Sequence, residues 1–134
     1  MEITDKEREG IQQLLDEVQD WFKLWLRGDI SVDSLEKLAN YLHDDWKLIN
    51  KETPAVINTK QNFLQSWLKT HGSFRDKKFK VRREVETIEK LSERFFLVLS
   101  HSIRELDEGT RAKPITEIFI KDTTGNFQFY YVHE

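Results

Sequence analysis

Apolar residues recur at helical spacing from the start of the chain. Ile11, Leu14, Leu15 and Val18 lead into Phe22, Trp25 and Leu26, the rhythm of one buried helix face. Gln12, Gln13, Asp16, Asp20 and Lys23 fall between them, mostly on a solvated side. Thr4 followed three residues later by Glu7 is a capping box and predicts the helix start. Gly28 predicts its end, as a C-terminal glycine does. A shorter helix follows, capped by Ser31 or Asp33, with Leu35, Leu38, Ala39 and Leu42 as its stripe. A third, capped by Asn58 or Thr59, carries Phe63, Leu64, Trp67, Leu68 and His71 and is closed by Gly72.

Between the second and third helices, Asp45 to Asn50 reads as a short strand, and residues 51–58 as a loop containing Pro54. After Gly72 the period changes to two. Lys78 to Ile88, Arg94 to Glu105, Pro114 to Lys121 and Phe127 to His133 read as four strands. Turn residues separate them, at 90–93, 107–109 and 123–126. Helices segregated to one side of a mostly antiparallel sheet define an α+β class, and residues 1–134 form one domain.

Composition narrows the chemistry. The 134 residues contain no cysteine, which removes disulfides, thiolate metal sites and cysteine nucleophiles. Nine Phe, four Trp and three Tyr are the unusual feature and demand a place in the core or in a site. A net charge of −3 argues against a nucleic-acid partner. The one basic stretch is 75–83, and the first twenty residues are acidic. No apolar run approaches the roughly 18–20 residues of a membrane span. The acidic N-terminal segment lacks the apolar centre of a signal peptide, so the expectation is a cytoplasmic protein without a membrane partner.

Certain residues in this order resemble the nuclear-transport-factor-2-like superfamily, which includes SnoaL-like polyketide cyclases, steroid delta-isomerases and scytalone dehydratase. They are Trp25 to Gly28-Asp29, Leu35 to Leu42, Asp44-Asp45, Thr59 to Gly72, and Phe119 through Asp122, Gly125, Phe127 and Phe129-Tyr130. The resemblance spans nearly the whole chain. It implies a cystatin-like roll: a cone-shaped, curved, mixed but mostly antiparallel sheet wrapped around three N-terminal helices. It also implies a cavity between the long helix and the concave face. Steroid isomerases carry a general-base Asp shortly after the Asp-Asp pair, and Asn50 occupies that position here. Their oxyanion donors, a Tyr on the first helix and a protonated Asp on the penultimate strand, match Trp21 and Glu117; a third-helix Tyr matches Trp67. An amide takes up no proton at neutral pH, so Asn50 cannot enolise a substrate.

Each constellation has two readings. Trp21, Trp25, Trp46 and Trp67, with Asn50, Phe119 and Tyr130, either wall a site for a small, largely apolar molecule or fill the cone as core. Glu117 either shares the inner face with Ile115 and Phe119, where burial would raise its pKa, or faces solvent while Thr116, Ile118 and Ile120 turn inward. It is the best candidate for acid–base work. His43-Asp44-Asp45 lies on extended chain, where neighbours point to opposite faces, and reads as an entry turn. His71, His101 and His133 show no metal spacing, so neither a metal nor a cofactor is expected. Lys78, Lys80 and Arg82 alternate with Phe79 and Val81, which puts the charges on one solvated face. Phe127, Phe129 and Tyr131 alternate to form a second apolar face, the expected homodimer interface. The sequence therefore describes a dimer with an aromatic pocket and no assigned chemistry. The alternatives are an assembly domain with a filled pocket, and a lyase, isomerase or cyclase using Glu117.

Overall fold

The computed structural model describes residues 2–50 and 56–134. Helix α1 runs Asp5–Arg27, and its capping box is complete: Thr4 Oγ1 accepts from Glu7 N, and the Glu7 carboxylate accepts from Thr4 N. Gly28 ends it with φ 75°, a conformation that a side chain strains. The carbonyls of Trp25 and Leu26 receive the amides of Gly72 and Phe74, so residues 72–74 stop the same helix from outside. A 3₁₀ turn at Val32–Ser34 leads into α2, Leu35–Tyr41. Neither Ser31 nor Asp33 caps α2; Ser34 precedes it, without a side-chain cap bond. Helix α3, Lys60–Leu68, is capped by Thr59, whose hydroxyl accepts from Asn62 N. It stops short of His71; a run of turns continues to Gly72.

Six strands follow in chain order: β1 Leu42–Asn50, β2 Val56–Thr59, β3 Phe79–Lys90, β4 Phe95–Leu106, β5 Gly109–Lys121 and β6 Phe127–His133. They form one open sheet in the order β2-β1-β6-β5-β4-β3. Every neighbouring pair is antiparallel except β1 with β6. Strand β1 starts earlier than its sequence signal, at Leu42. Residues 56–59, expected to continue a loop, pair with β1 as β2, while the rest of that expected loop, with Pro54, lies outside the described residues.

The sheet curls around α1 because its ladders are interrupted. Glu86 is an extra residue in β3 opposite β4, and Tyr130 is an extra residue in β6 opposite β5. The β1–β6 register also shifts, between Leu42 and Lys47. Such bulges bend a strand and strengthen its twist. Ile11, Leu15, Trp25, Phe96, Val98 and Phe119 are fully enclosed where the long helix meets the concave face. The N-terminal end of α1 is tied down by charge. Glu7, 6% exposed, receives Lys121 Nζ at 2.6 Å and Lys90 Nζ at 3.1 Å.

The bulge at Tyr130 decides which way the last strand faces. Unbroken alternation would put Phe127, Phe129 and Tyr131 on one side. Phe129 instead pairs with Phe119 and Val132 with Glu117, all turned inward, while Tyr131 pairs with Ile118 on the outer face. Phe127 packs on Phe96 with ring centroids 5.3 Å apart and presses against Gly10 of α1. Phe127 and Phe129 are therefore interior residues, and only Tyr131 of the expected interface trio lies outside.

Candidate functional site: a cavity on the concave face

A cavity of about 350 Å³ opens between the helices and the sheet, within the usual size of small-molecule sites, roughly 300–1,000 Å³. Phe22 and Leu26 of α1, Phe63 and Trp67 of α3, and Trp46 of β1 form one wall. Val81, Arg83, Ser102, Ile115, Glu117 and Phe129 form the other, all on the concave face of the sheet. Most of this lining is aromatic or aliphatic.

The four tryptophans divide. Trp46 and Trp67 line the cavity. Trp21 and Trp25 stack on one another at 4.9 Å and sit in the core, 3% and 0% exposed. Their indole N–H groups are already committed. Trp21 donates to the Ser34 carbonyl, and Trp25 to Thr70 Oγ1 and the Trp67 carbonyl. Trp21 is thus no free donor for a ligand oxygen. Trp46 is the contrast. It is 2% exposed, it borders the cavity, and its N–H has no partner among the described residues.

Of the other expected pocket residues, Phe119 is fully buried behind Phe129, with rings 4.8 Å apart, and does not reach the cavity. Tyr130 lies on the outer face against Phe95 and His43. Its displacement has the same cause as that of Phe127 and Phe129, the bulge. Asn50 ends β1, paired with Val56 across the strands, and is not part of the lining. No hydrogen bond joins it to Glu117 among the described residues.

Glu117 takes the inner register, with Ile115 and Phe119, while Thr116, Ile118 and Ile120 turn outward. It is 2% exposed. Arg83 Nη1 donates to its carboxylate and also to Ser100 Oγ at 3.2 Å. Burial pushes the Glu117 carboxyl above its ordinary value, and the adjacent guanidinium pulls it back. Arg83 Nε, also buried, has no partner among the described residues. Arg83 is the site residue that a reading of the basic stretch passes over. Its signal lies in the alternation: Phe79, Val81, Arg83 and Val85 share one face, and Arg83 is the one charge among these four. A charge on an apolar strand face calls for a buried partner.

Outside the site and the buried Glu7 cluster, the charges behave as surface groups. Arg82 meets Glu84 and Glu105 on the outer side of β3. Asp44 reaches Lys60 and His43 lies near Asp45, so that trio does not converge. Among the described residues no three His, Asp or Glu side chains gather as a metal site would need. Among the described residues no helix is long and apolar enough to cross a membrane.

No protein-family model matches the chain, and no curated protein matches it. Solved structures do. An NTF-2-like protein of unknown function from Pseudomonas aeruginosa is 17% identical over 96% of this chain and 95% of its own, with a TM-score of 0.70. A domain of unknown function with a cystatin-like fold from Nostoc punctiforme is 15% identical over 98% and 77%, with a TM-score of 0.66. A ketosteroid isomerase-like protein from Erwinia carotovora atroseptica is 16% identical over 97% and 95%, with a TM-score of 0.59. Element order, the curled mixed sheet and these similarities agree: the chain has the α+β, cystatin-like fold of NTF-2-like proteins.

Proposed function

We propose that the protein binds a small, largely apolar molecule in the concave cavity and performs no acid–base chemistry on it. The observation that carries this reading is that the cone is not plugged. Trp21 and Trp25 pack away from the cavity, and Trp46 and Trp67 border it. Aromatic walls with a few buried polar groups are the ordinary make-up of a small-molecule site. The pairing of Glu117 with Arg83 argues against catalysis, because a carboxylate held by a guanidinium is poorly placed to exchange a proton.

Phenylnaphthylamine, a neutral dye that brightens in apolar surroundings, tests the reading. It should bind the wild type and quench tryptophan emission. Ser102→Phe puts a ring where a small side chain now lines the cavity, and should abolish binding while the protein stays folded. Binding unchanged by Ser102→Phe would overturn the proposal.

A second reading concerns the outer face. Leu97, Ile118 and Tyr131 form a half-buried row across three strands, ending in Glu89 on one side and Lys47 on the other. A second copy turned about an axis along the strands would set Lys47 against Glu89 and cover the apolar row between them. We therefore place a homodimer contact on this face, through Tyr131 and without Phe127 or Phe129. Ile118→Lys should shift sedimentation from dimer to monomer; a wild type that stays monomeric at high concentration contradicts this reading.

A further inference from the structure

The rim of the cavity carries a charge that the fold does not use. Arg104 lies on the concave face toward the exposed end of β4, borders the cavity and is itself exposed. Its neighbours are paired: Arg83 with Glu117, Arg82 with Glu84 and Glu105, Lys113 with Glu134 at 2.9 Å. Arg104 makes no ion pair among the described residues. Its cross-strand partner on β5 is Arg111, so two arginines occupy directly opposite positions on one face of the sheet. Like charges in that relation destabilise a sheet. Arg111 itself has one carboxylate nearby, Glu108 at 3.7 Å, and both of those side chains are about three-quarters exposed.

From the rim inward the chemistry is graded. Arg104 stands near the outer end, with Leu106 beyond it on β4. Two residues along β4 is Ser102, opposite Arg83 on β3, whose charge Glu117 balances. Trp46, Phe63, Trp67 and Phe129 complete the interior. Glu134 also borders the cavity, with its side chain taken up by Lys113, so the unpaired side-chain charge at the rim is the positive one of Arg104. A guanidinium presents parallel N–H groups that match a carboxylate or sulfonate.

Resting on the reading that the cavity takes a small molecule, we infer that its occupant is an amphipathic organic anion. A flat apolar body lies against Trp46 and Trp67, and an acidic head is held at the rim by Arg104 with Arg111 beside it.

Two dyes with one body separate this inference from the reading beneath it. Anilinonaphthalene sulfonate carries the acidic head, and phenylnaphthylamine is the same aryl-naphthyl body without it. The sulfonate should bind the wild type about tenfold more tightly than the neutral dye, and added salt should weaken the sulfonate alone. Arg104→Gln should remove that advantage and leave the neutral dye unchanged; Arg104→Lys should keep part of it. Equal affinity for the two dyes, or an Arg104→Gln effect that is nil or the same for both, overturns the anionic occupant while the cavity reading stands. Loss of neither dye in Ser102→Phe, or no binding of either to the wild type, overturns both.

Discussion

Glu7 is the residue whose removal has the most definite consequence. Its carboxylate is nearly enclosed, yet it receives two ammonium groups and a backbone amide. Burial alone would raise its pKa. The hydrogen bonds from Lys121, Thr4 and Lys90 outweigh that and bring the group down to about 2 from an ordinary 4.5. That difference corresponds to about 3 kcal/mol of preference for the ionised form. The Lys121 side chain remains 24% exposed, so solvent screens part of this, and about 2 kcal/mol is the figure to test. Because the folded pKa is depressed, this stability is complete above pH 4.5 and is lost as pH falls toward 2. Glu7→Gln retains an acceptor for the Thr4 amide and removes only the charge. Urea melts of the two proteins should differ by about 2 kcal/mol at pH 7, and the gap should close as pH falls to about 2. At neutral pH the melting temperature should drop by about 7 °C. Thr4→Ala supplies the contrast, because loss of a cap costs about 1 kcal/mol with little pH dependence. A Glu7→Gln deficit that is equally large at pH 7 and pH 2 would show that packing, and not the two lysines, holds this corner.

Other outcomes follow from the same structure. Glu117→Gln leaves Arg83 buried without its counter-charge and should destabilise by about 3–5 kcal/mol, whereas Arg83→Met with Glu117→Leu should recover much of the loss in a thermal melt. Gly28→Ala forces a side chain at φ 75° and puts its Cβ 3.2 Å from the Gly72 Cα; the expected cost is about 1–3 kcal/mol, read by chemical denaturation.

Where local chemistry determines structure, the sequence reveals it. Thr4, Glu7 and Gly28 bound α1 because caps are made within one turn. Thr59 and the turns between the later strands are legible for the same reason. The inner register of Glu117 needed more, since Thr116, Ile118 and Ile120 offered a rival apolar face. What escapes is the bulge. A single extra residue at Tyr130 reverses the facing of everything before it, and nothing in the aromatic run from Phe127 to Tyr131 marks which residue is extra. The assignments of Phe127, Phe129 and Tyr130 failed together for that one reason. Trp21 and Trp25 take the core reading of the two that the sequence leaves open. Their apolar spacing was right, but it does not say whether the surface they meet is a neighbouring ring or empty space.

The strand order also governs when the molecule can become whole. Strands β3, β4 and β5 pair with chain neighbours through short turns and can assemble as soon as they are made. Strand β1 has no place in that sheet until β6 arrives, because β6 lies between β1 and β5. Until residues 127–133 are in place, β1 and β2 can pair with one another and pack on α3 but cannot join the remaining strands. A chain stalled before Phe127 leaves both sheet fragments with open edges. Strand β6 is thus the piece whose arrival closes both open edges at once.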